Sequence, residues 1–290
     1  ENLTAHDNLN DFFRTGLTSM TSVSVSYGNE TLQTYFSYAN TTGHGIIGKH
    51  NLSKHNLTFR ETSVLLNSRL KLDGSMNLMR QVVKNKPTVG GFYMNPLVGL
   101  YRFPRGEDIA YYKENFEVYD EGRNLNIQNW HTSYEDFEQN PYWITNRILS
   151  KENRMHVIVS LSANLKINDW LSLQARGNVD YINDKVRQQF YASTAPALAG
   201  ANGRYIEMDY QETQYYGDAI LMMKKQWDAF SLNAALGVSI NDKTVNSTRY
   251  DSKTASLKYA NVFNLANIIM NGSAGLDQKI DARRQLQSLF

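Results

Sequence analysis

The chain has 290 residues, with 30 Lys and Arg against 28 Asp and Glu and no cysteine. A formal net charge of +2 offers no basic field for a nucleic-acid partner. A mean hydropathy of -0.50, with no apolar run near the roughly 18 residues that a membrane helix needs, excludes helical membrane spanning.

The opening stretch, Glu1 to Asn10, is polar and does not read as a signal peptide, so the segment is expected to begin inside a larger precursor or after processing. Beyond it, Val23, Val25 and Tyr27 alternate with polar residues and turn at Gly28-Asn29-Glu30 into Leu32, Thr34, Phe36 and Tyr38. Leu57 and Phe59 lead through a turn near Asn67-Ser68 to Leu70, Leu72, Met76 and Leu78. From Arg154 to Ile167, apolar residues hold every odd position from Met155 onward, which gives a strand one greasy and one wet face. The chain reverses at Asn168 and Asp169 and returns from Trp170 to Asp184, a tight hairpin. Another hairpin spans Thr213 to Ile240 around a turn near Asp228, and a ninth strand begins near Arg283 and runs to the last residue, Phe290.

These stretches predict about nine strands joined alternately by short turns and long connections. The long connections, 41–53, 81–153, 184–212 and 242–282, exceed the ~12 to 15 residues usual in compact soluble domains. Short turns at one end and long loops at the other are the polarity of an up-and-down outer-membrane barrel, in which only alternate residues meet lipid. Tyr27, Trp170, Trp227 and Phe230 stand beside the short turns, where an interfacial aromatic girdle is expected. The lack of cysteine fits an oxidising envelope compartment. About nine strands leave two unpaired sheet edges, and each unsatisfied backbone group in hydrocarbon costs on the order of several kcal/mol. The expected fold is therefore an all-β, antiparallel, up-and-down transmembrane β-barrel in part, completed by strands outside this sequence.

Several motifs in order carry a family resemblance. They are Asp11-Phe12-Phe13-Arg14-Thr15-Gly16, Ser24-Val25-Ser26, Gly28-Asn29-Glu30, Tyr35-Phe36-Ser37-Tyr38 and Gly45-Ile46-Ile47. Gly91-Phe92-Tyr93, Asn95-Pro96-Leu97, Phe103-Pro104-Arg105-Gly106, Asn140-Pro141-Tyr142-Trp143 and Asp169-Trp170-Leu171 follow. The chain resembles part of a SusC/RagA-type TonB-dependent transporter of the Bacteroidota outer membrane, from the first barrel hairpin after the plug domain to about Ile268. It departs at Tyr27, where the family usually has a second glycine. The resemblance implies a 22-stranded barrel closed around an N-terminal plug, energised through TonB. It also implies a SusD-like surface lipoprotein outside that helps capture oligosaccharides or peptides. On this resemblance the plug and the later strands are expected to lie outside this sequence.

No catalytic constellation is visible: His6, His44, His50, His55, His131 and His156 show no HExxH spacing, and there is no Gly-x-Ser-x-Gly elbow. The expectation is a non-enzyme without cofactor. The His44, His50 and His55 group reads as a solvated loop rather than a metal site, and so does the acidic group Glu117, Asp120, Glu121 and Asp136, which lacks EF-hand spacing. The 81–153 loop holds the substrate-binding candidates Trp130, Phe92, Tyr93, Tyr142 and Trp143, since aromatic faces stack on sugar rings and peptide side chains. Trp130 is favoured as ligand contact, and Tyr142 and Trp143 as the loop's own small core. Arg176, Asn178, Asp180, Gln214 and Asp218 fall on the polar face of their strands, facing lumen or plug.

Three functions stay open at this point: active uptake of a nutrient through a plugged, TonB-coupled barrel in the outer membrane; a passive porin or adhesin barrel; and a soluble all-β glycan-binding module.

Overall fold

The computed structural model describes residues 4–90, 93–132, 138–255, 257–271 and 274–290. In chain order it forms α1 (Asn8–Phe12), β1 (Leu17–Gly28), β2 (Leu32–His44), β3 (Asn51–Leu65) and β4 (Leu70–Lys84). An insertion follows, with α2 (Pro96–Arg102), α3 (Ala110–Glu114), a hairpin of β5 (Glu117–Asp120) and β6 (Leu125–Gln128), and α4 (Pro141–Arg147). The chain then runs through β7 (Ile148–Lys166), β8 (Leu171–Phe190), β9 (Arg204–Trp227), β10 (Phe230–Asp251) and β11 (Gly275–Leu289).

Nine strands make one antiparallel sheet in the order β1-β2-β3-β4-β7-β8-β9-β10-β11, so neighbours in sequence are neighbours in space except across the insertion. The side-chain period of two fixes this register, because a slip of one residue would turn every apolar side chain to the polar face. One row shows the phase being kept: Val23 pairs with Tyr38, Tyr38 with Leu57, Leu57 with Leu78, Leu78 with Val157 and Val157 with Tyr181.

The two faces differ sharply. On β10, Phe230, Leu232, Ala234, Leu236, Val238 and Ile240 share the apolar face, and the next residue on that face is Asp242. That apolar stretch has the length of ~9 to 11 residues that a tilted strand needs to cross hydrocarbon. Its side chains are open to the surroundings, Leu236 at 54% and Phe230 at 77%. Tyr27, Trp170, Trp227 and Phe230 are exposed beside the short turns, as a girdle there requires, and Lys225 Nζ lies 5.4 Å from the Trp170 ring and 5.2 Å from that of Trp227. The opposite face is stitched by ion pairs between adjacent strands: Arg60 with Asp73 at 2.8 Å, Arg154 with Asp184 at 2.6 Å, Arg176 with Asp218 at 2.7 Å and Arg204 with Asp251 at 2.8 Å.

The strands are taller than the sequence pattern suggests, and the long connections shrink accordingly to 45–50, 85–147, 191–203 and 252–274. Beyond the apolar band the outer face turns polar, at Asn183, Lys185 and Arg187 for example, while the inner face mixes polar residues with scattered apolar ones such as Phe190 and Ile206, so alternation disappears from the sequence while the hydrogen-bonded ladder continues. β11 likewise begins at Gly275, ahead of the expected Arg283. No helix among the described residues is long and apolar enough to cross a membrane.

Candidate functional site

At the long-connection end the insertion 85–147 is a folded body. Two Asn-Pro pairs start its helices. Asn95 Oδ1 accepts from Leu97 N at 3.0 Å and Asn140 Oδ1 from Tyr142 N at 2.8 Å, with Pro96 and Pro141 filling the first helical position, where no N–H is needed. The two helices cross closely at Gly99, where an added Cβ would stand 2.5 Å from the Gln139 carbonyl oxygen. Phe12, Leu100, Phe103, Ile109 and Tyr142 form the core beneath them, with Tyr112 and Trp130 packed against it.

Asn140, fully buried, also donates to the carbonyls of Tyr112 at 3.0 Å and Asn129 at 2.8 Å. Gln139 donates to the Tyr93 carbonyl at 2.6 Å and accepts from Ala195 N at 2.8 Å, which ties the insertion to the 191–203 connection. Arg147 is held by both carboxylate oxygens of Glu117 at 2.7 Å, and its guanidinium also lies 5.0 Å from the Tyr191 ring. The hydrogen bonds that Arg147 donates to Glu117 raise its pKa further, so it is a fixed cation.

The segment ahead of β1 straps this body to the sheet. Asn8 donates to the Glu107 carbonyl at 2.9 Å and accepts from Ile109 N at 3.1 Å, while Arg14 donates to the carbonyls of Gly45 at 2.8 Å and His50 at 3.0 Å. Burial, then Arg14 and Lys86, lower the pKa of His50 and favour its neutral ring.

Of the aromatic candidates, Trp143 is fully buried and its Nε1 donates to Thr194 Oγ1 at 3.1 Å, leaving no ring face for a ligand. Tyr142 is buried, its ring meeting that of Phe12 edge-on at 5.4 Å. Trp130, expected as the ligand contact, is half-buried, with ring centres 5.2 Å from Phe103, 5.1 Å from Tyr112 and 4.6 Å from His131. Its neighbours are the insertion's own rings, because the hairpin that carries it folds back onto α3. Tyr93 is half-buried at the start of the insertion, and Phe92 lies outside the described residues.

The polar candidates share one face. Arg176 Nε bonds Asp218 Oδ1 at 3.0 Å, Tyr216 donates to the same carboxylate at 2.6 Å, Asn178 donates to Ser160 Oγ at 2.7 Å, and His156 Nε2 lies 2.7 Å from Asp180 Oδ1. Gln214, Arg176 and Asn178 line a shallow polar depression with Asp73 and Tyr216. His44, His50 and His55 do not converge: His44 bonds Asn51 at 2.6 Å, and His55 meets the Tyr38 hydroxyl at 2.7 Å. Among the described residues no group of three or more metal-ligating side chains comes together. Glu117 is taken by Arg147, Asp120 accepts from Arg123 N at 3.1 Å, and Asp136 lies outside the described residues.

Between the insertion and the polar face of β7 and β8 lies a cavity of about 340 Å³. The sequence alone did not point to it, since its walls come from segments far apart in the chain. The local signal was the pair of Asn-Pro helix starts, which fix where α2 and α4 stand above the sheet.

Sheet topology, the one-sided apolar band and the rim insertion together define an all-β, up-and-down fold of the transmembrane β-barrel class. Solved structures agree. The chain is similar over 99% of its length to the RagAB peptide transporter, with a TM-score of 0.72 at 17% identity. It is similar also to the RagAB peptide importer in its open-open state, over 98% of the chain, with a TM-score of 0.69 at 17% identity. In both cases it spans 30% of the other chain's length. No family model matches the sequence and no curated protein matches it. At such identity the likeness establishes the fold.

Proposed function

We propose that the chain is an early part of the barrel of a SusC/RagA-type TonB-dependent transporter, which actively imports a nutrient, a peptide or an oligosaccharide, across a bacterial outer membrane. The observation that carries this reading is the sheet's asymmetry. One face bears an exposed apolar band of membrane-spanning height, the other bears cross-strand ion pairs, and the folded insertion stands only at the long-connection end. The ordered sequence motifs and the match over 99% of the chain to RagAB, a peptide transporter, support it.

On this reading the nine strands are an arc of a 22-stranded barrel, with β1 and β11 pairing to strands encoded elsewhere in the gene. The plug and the TonB-contacting segment lie there too. A SusD-like lipoprotein docks over the rim, and RagAB, as a peptide importer, favours peptide over glycan as cargo. The protein is not an enzyme. The polar depression with Arg176, Asn178 and Gln214 lines the lumen or meets the plug.

Uptake assays in cells carrying the full-length gene test the proposal. Uptake should be lost with an uncoupler, and the protein should fractionate with the outer membrane and show heat-modifiable gel mobility. Uptake indifferent to the uncoupler would indicate a passive porin, and a soluble, non-modifiable protein would indicate a glycan-binding module.

A further inference from the structure

On the outward face of the sheet the strands keep their phase above the apolar band. One row there runs Asn51, Lys84, Lys151, Arg187 and Glu207, each the direct cross-strand partner of the next. It shares its face with the row Leu57, Leu78, Val157 and Tyr181 below it, because an even number of residues separates the two rows on every strand. Between the rows Arg80 and Lys185 add two more cations, and the outward positions of β4, β7 and β8 above Leu78 hold no carboxylate among the described residues. All five cations are exposed. β8 and β9 match their charges across the ladder, Lys185 lying 3.3 Å from Asp209 and Arg187 3.2 Å from Glu207. β4 and β7 break that habit: Lys84 and Lys151 stand directly opposite each other, and neither makes an ion pair among the described residues.

Like charges directly opposite on neighbouring strands repel, so an outward row of three adjacent cations calls for an anion against it. At about 3.3 Å per residue and a tilt near 45°, Arg80 stands roughly 5 Å and Lys84 roughly 14 Å above Leu78. Headgroups occupy roughly the 5 to 8 Å that flank the hydrocarbon on each side, and Lys and Arg reach down to that depth along their own stems. We infer that this face holds the anionic phosphate headgroup of a membrane lipid, its chains against Leu78, Val157 and Tyr181 and its phosphate among Arg80, Lys84 and Lys151. Lys185 and Arg187, already matched by β9, bound the patch on one side, and the uncharged Asn51 and Ser53 of β3 bound it on the other. A free anion fits less well, since an open strand face does not enclose it, whereas a lipid is kept there by its chains. The inference goes beyond the transporter reading: it needs the membrane-facing side of the sheet and no particular cargo.

Native mass spectrometry of the delipidated full-length protein tests this with three probes: dioleoylphosphatidylglycerol, which carries a net negative charge, dioleoylphosphatidylcholine, which carries none, and inorganic phosphate. The first phosphatidylglycerol should bind at least about fivefold more tightly than phosphatidylcholine, the worth of roughly one basic side chain at an anionic membrane surface. Lys84→Gln and Lys151→Gln should each weaken phosphatidylglycerol about fivefold and leave phosphatidylcholine unchanged. Lys54→Gln, at similar height on the opposite face of β3, should change neither. Inorganic phosphate should not displace the lipid. In lipid-free detergent Lys84→Gln and Lys151→Gln should lose their heat-modifiable mobility no earlier on warming than the parent, because each removes a repulsion. Equal affinity for the two lipids, phosphatidylglycerol binding unchanged in both patch variants, an equal loss in Lys54→Gln, or displacement by inorganic phosphate would overturn the headgroup assignment. Earlier unfolding of the two lipid-free variants would overturn it as well, by giving the lysines a partner within the protein.

Discussion

The ring of Phe12, just ahead of the first strand, packs edge-on against Tyr142 in α4 at 5.4 Å. The contact places the chain before β1 in the core of a body formed more than a hundred residues later. Phe12→Ala should therefore loosen the insertion without unpairing the sheet, at a cost of about 3 to 5 kcal/mol for a deleted core aromatic. Limited proteolysis of the full-length protein should show faster cleavage within 85–147 and an unchanged heat-modifiable barrel. Equal cleavage in variant and parent would mean that the strap bears no load.

Val159→Arg places a charge on the apolar face and should cost about 2 to 4 kcal/mol near the bilayer midplane. Its neighbour Ser160→Arg points to the polar face, where Ser160 meets Asn178, and should be milder. The folded fraction of each variant, read by heat-modifiable mobility, checks the face assignment, and equal tolerance at the two positions would refute it.

Burial, with Asp11 and Asp108 adding to it, pushes the Tyr142 pKa up to about 12, and its hydroxyl has no hydrogen-bond partner among the described residues. A raised folded pKa means that the phenol resists ionisation in the native insertion. Its ionisation therefore costs the folded state nothing below the unfolded value near ~10, and folding loses stability progressively as pH rises from there toward about 12. Alkaline titration followed by phenolate absorbance should show a late-ionising tyrosine that Tyr142→Phe removes. That variant should be as stable as the parent or more so, since it deletes a buried unpartnered group. An unchanged titration curve would disprove the assignment.

Trp130→Ala removes a ring wedged among Phe103, Tyr112 and His131. It should destabilise the insertion by about 1 to 3 kcal/mol, the range for burying a large apolar side chain. Hydrogen exchange of the 117–128 hairpin measures this directly. Lost ligand affinity with unaltered exchange would instead make Trp130 a ligand contact.

The sheet was largely legible because lipid imposes alternation on every strand that crosses it, and Met155, Val157, Val159 and Leu161 show that constraint without help from the fold. Strand ends above the band were not legible: at Asn183, Lys185 and Arg187 the apolar face turns polar, and nothing local distinguishes ladder from loop. The insertion was half-legible. Asn95-Pro96 and Asn140-Pro141 announce helix starts, but that Trp130 packs on Phe103 follows from a hairpin returning to α3, a long-range event without local period. The cavity between Met94, Ile148 and Phe190 was invisible for the same reason, since its walls are assembled only when β7 and β8 pair under the insertion.

The extra length of the strands has a mechanical consequence. β9 runs from Arg204 to Trp227, so with roughly 10 residues assigned to the hydrocarbon, more than half of it stands clear of the bilayer. At about 3.3 Å per residue and a tilt near 45°, the freestanding part rises on the order of 30 Å. Hydrogen-bonded ladders resist bending as isolated loops do not, so the insertion rides on a stiff parapet. If the chain is part of a transporter as proposed, a nutrient reaching the top of this parapet would already have left open solvent, and its remaining search would be a descent along a wall rather than a three-dimensional encounter.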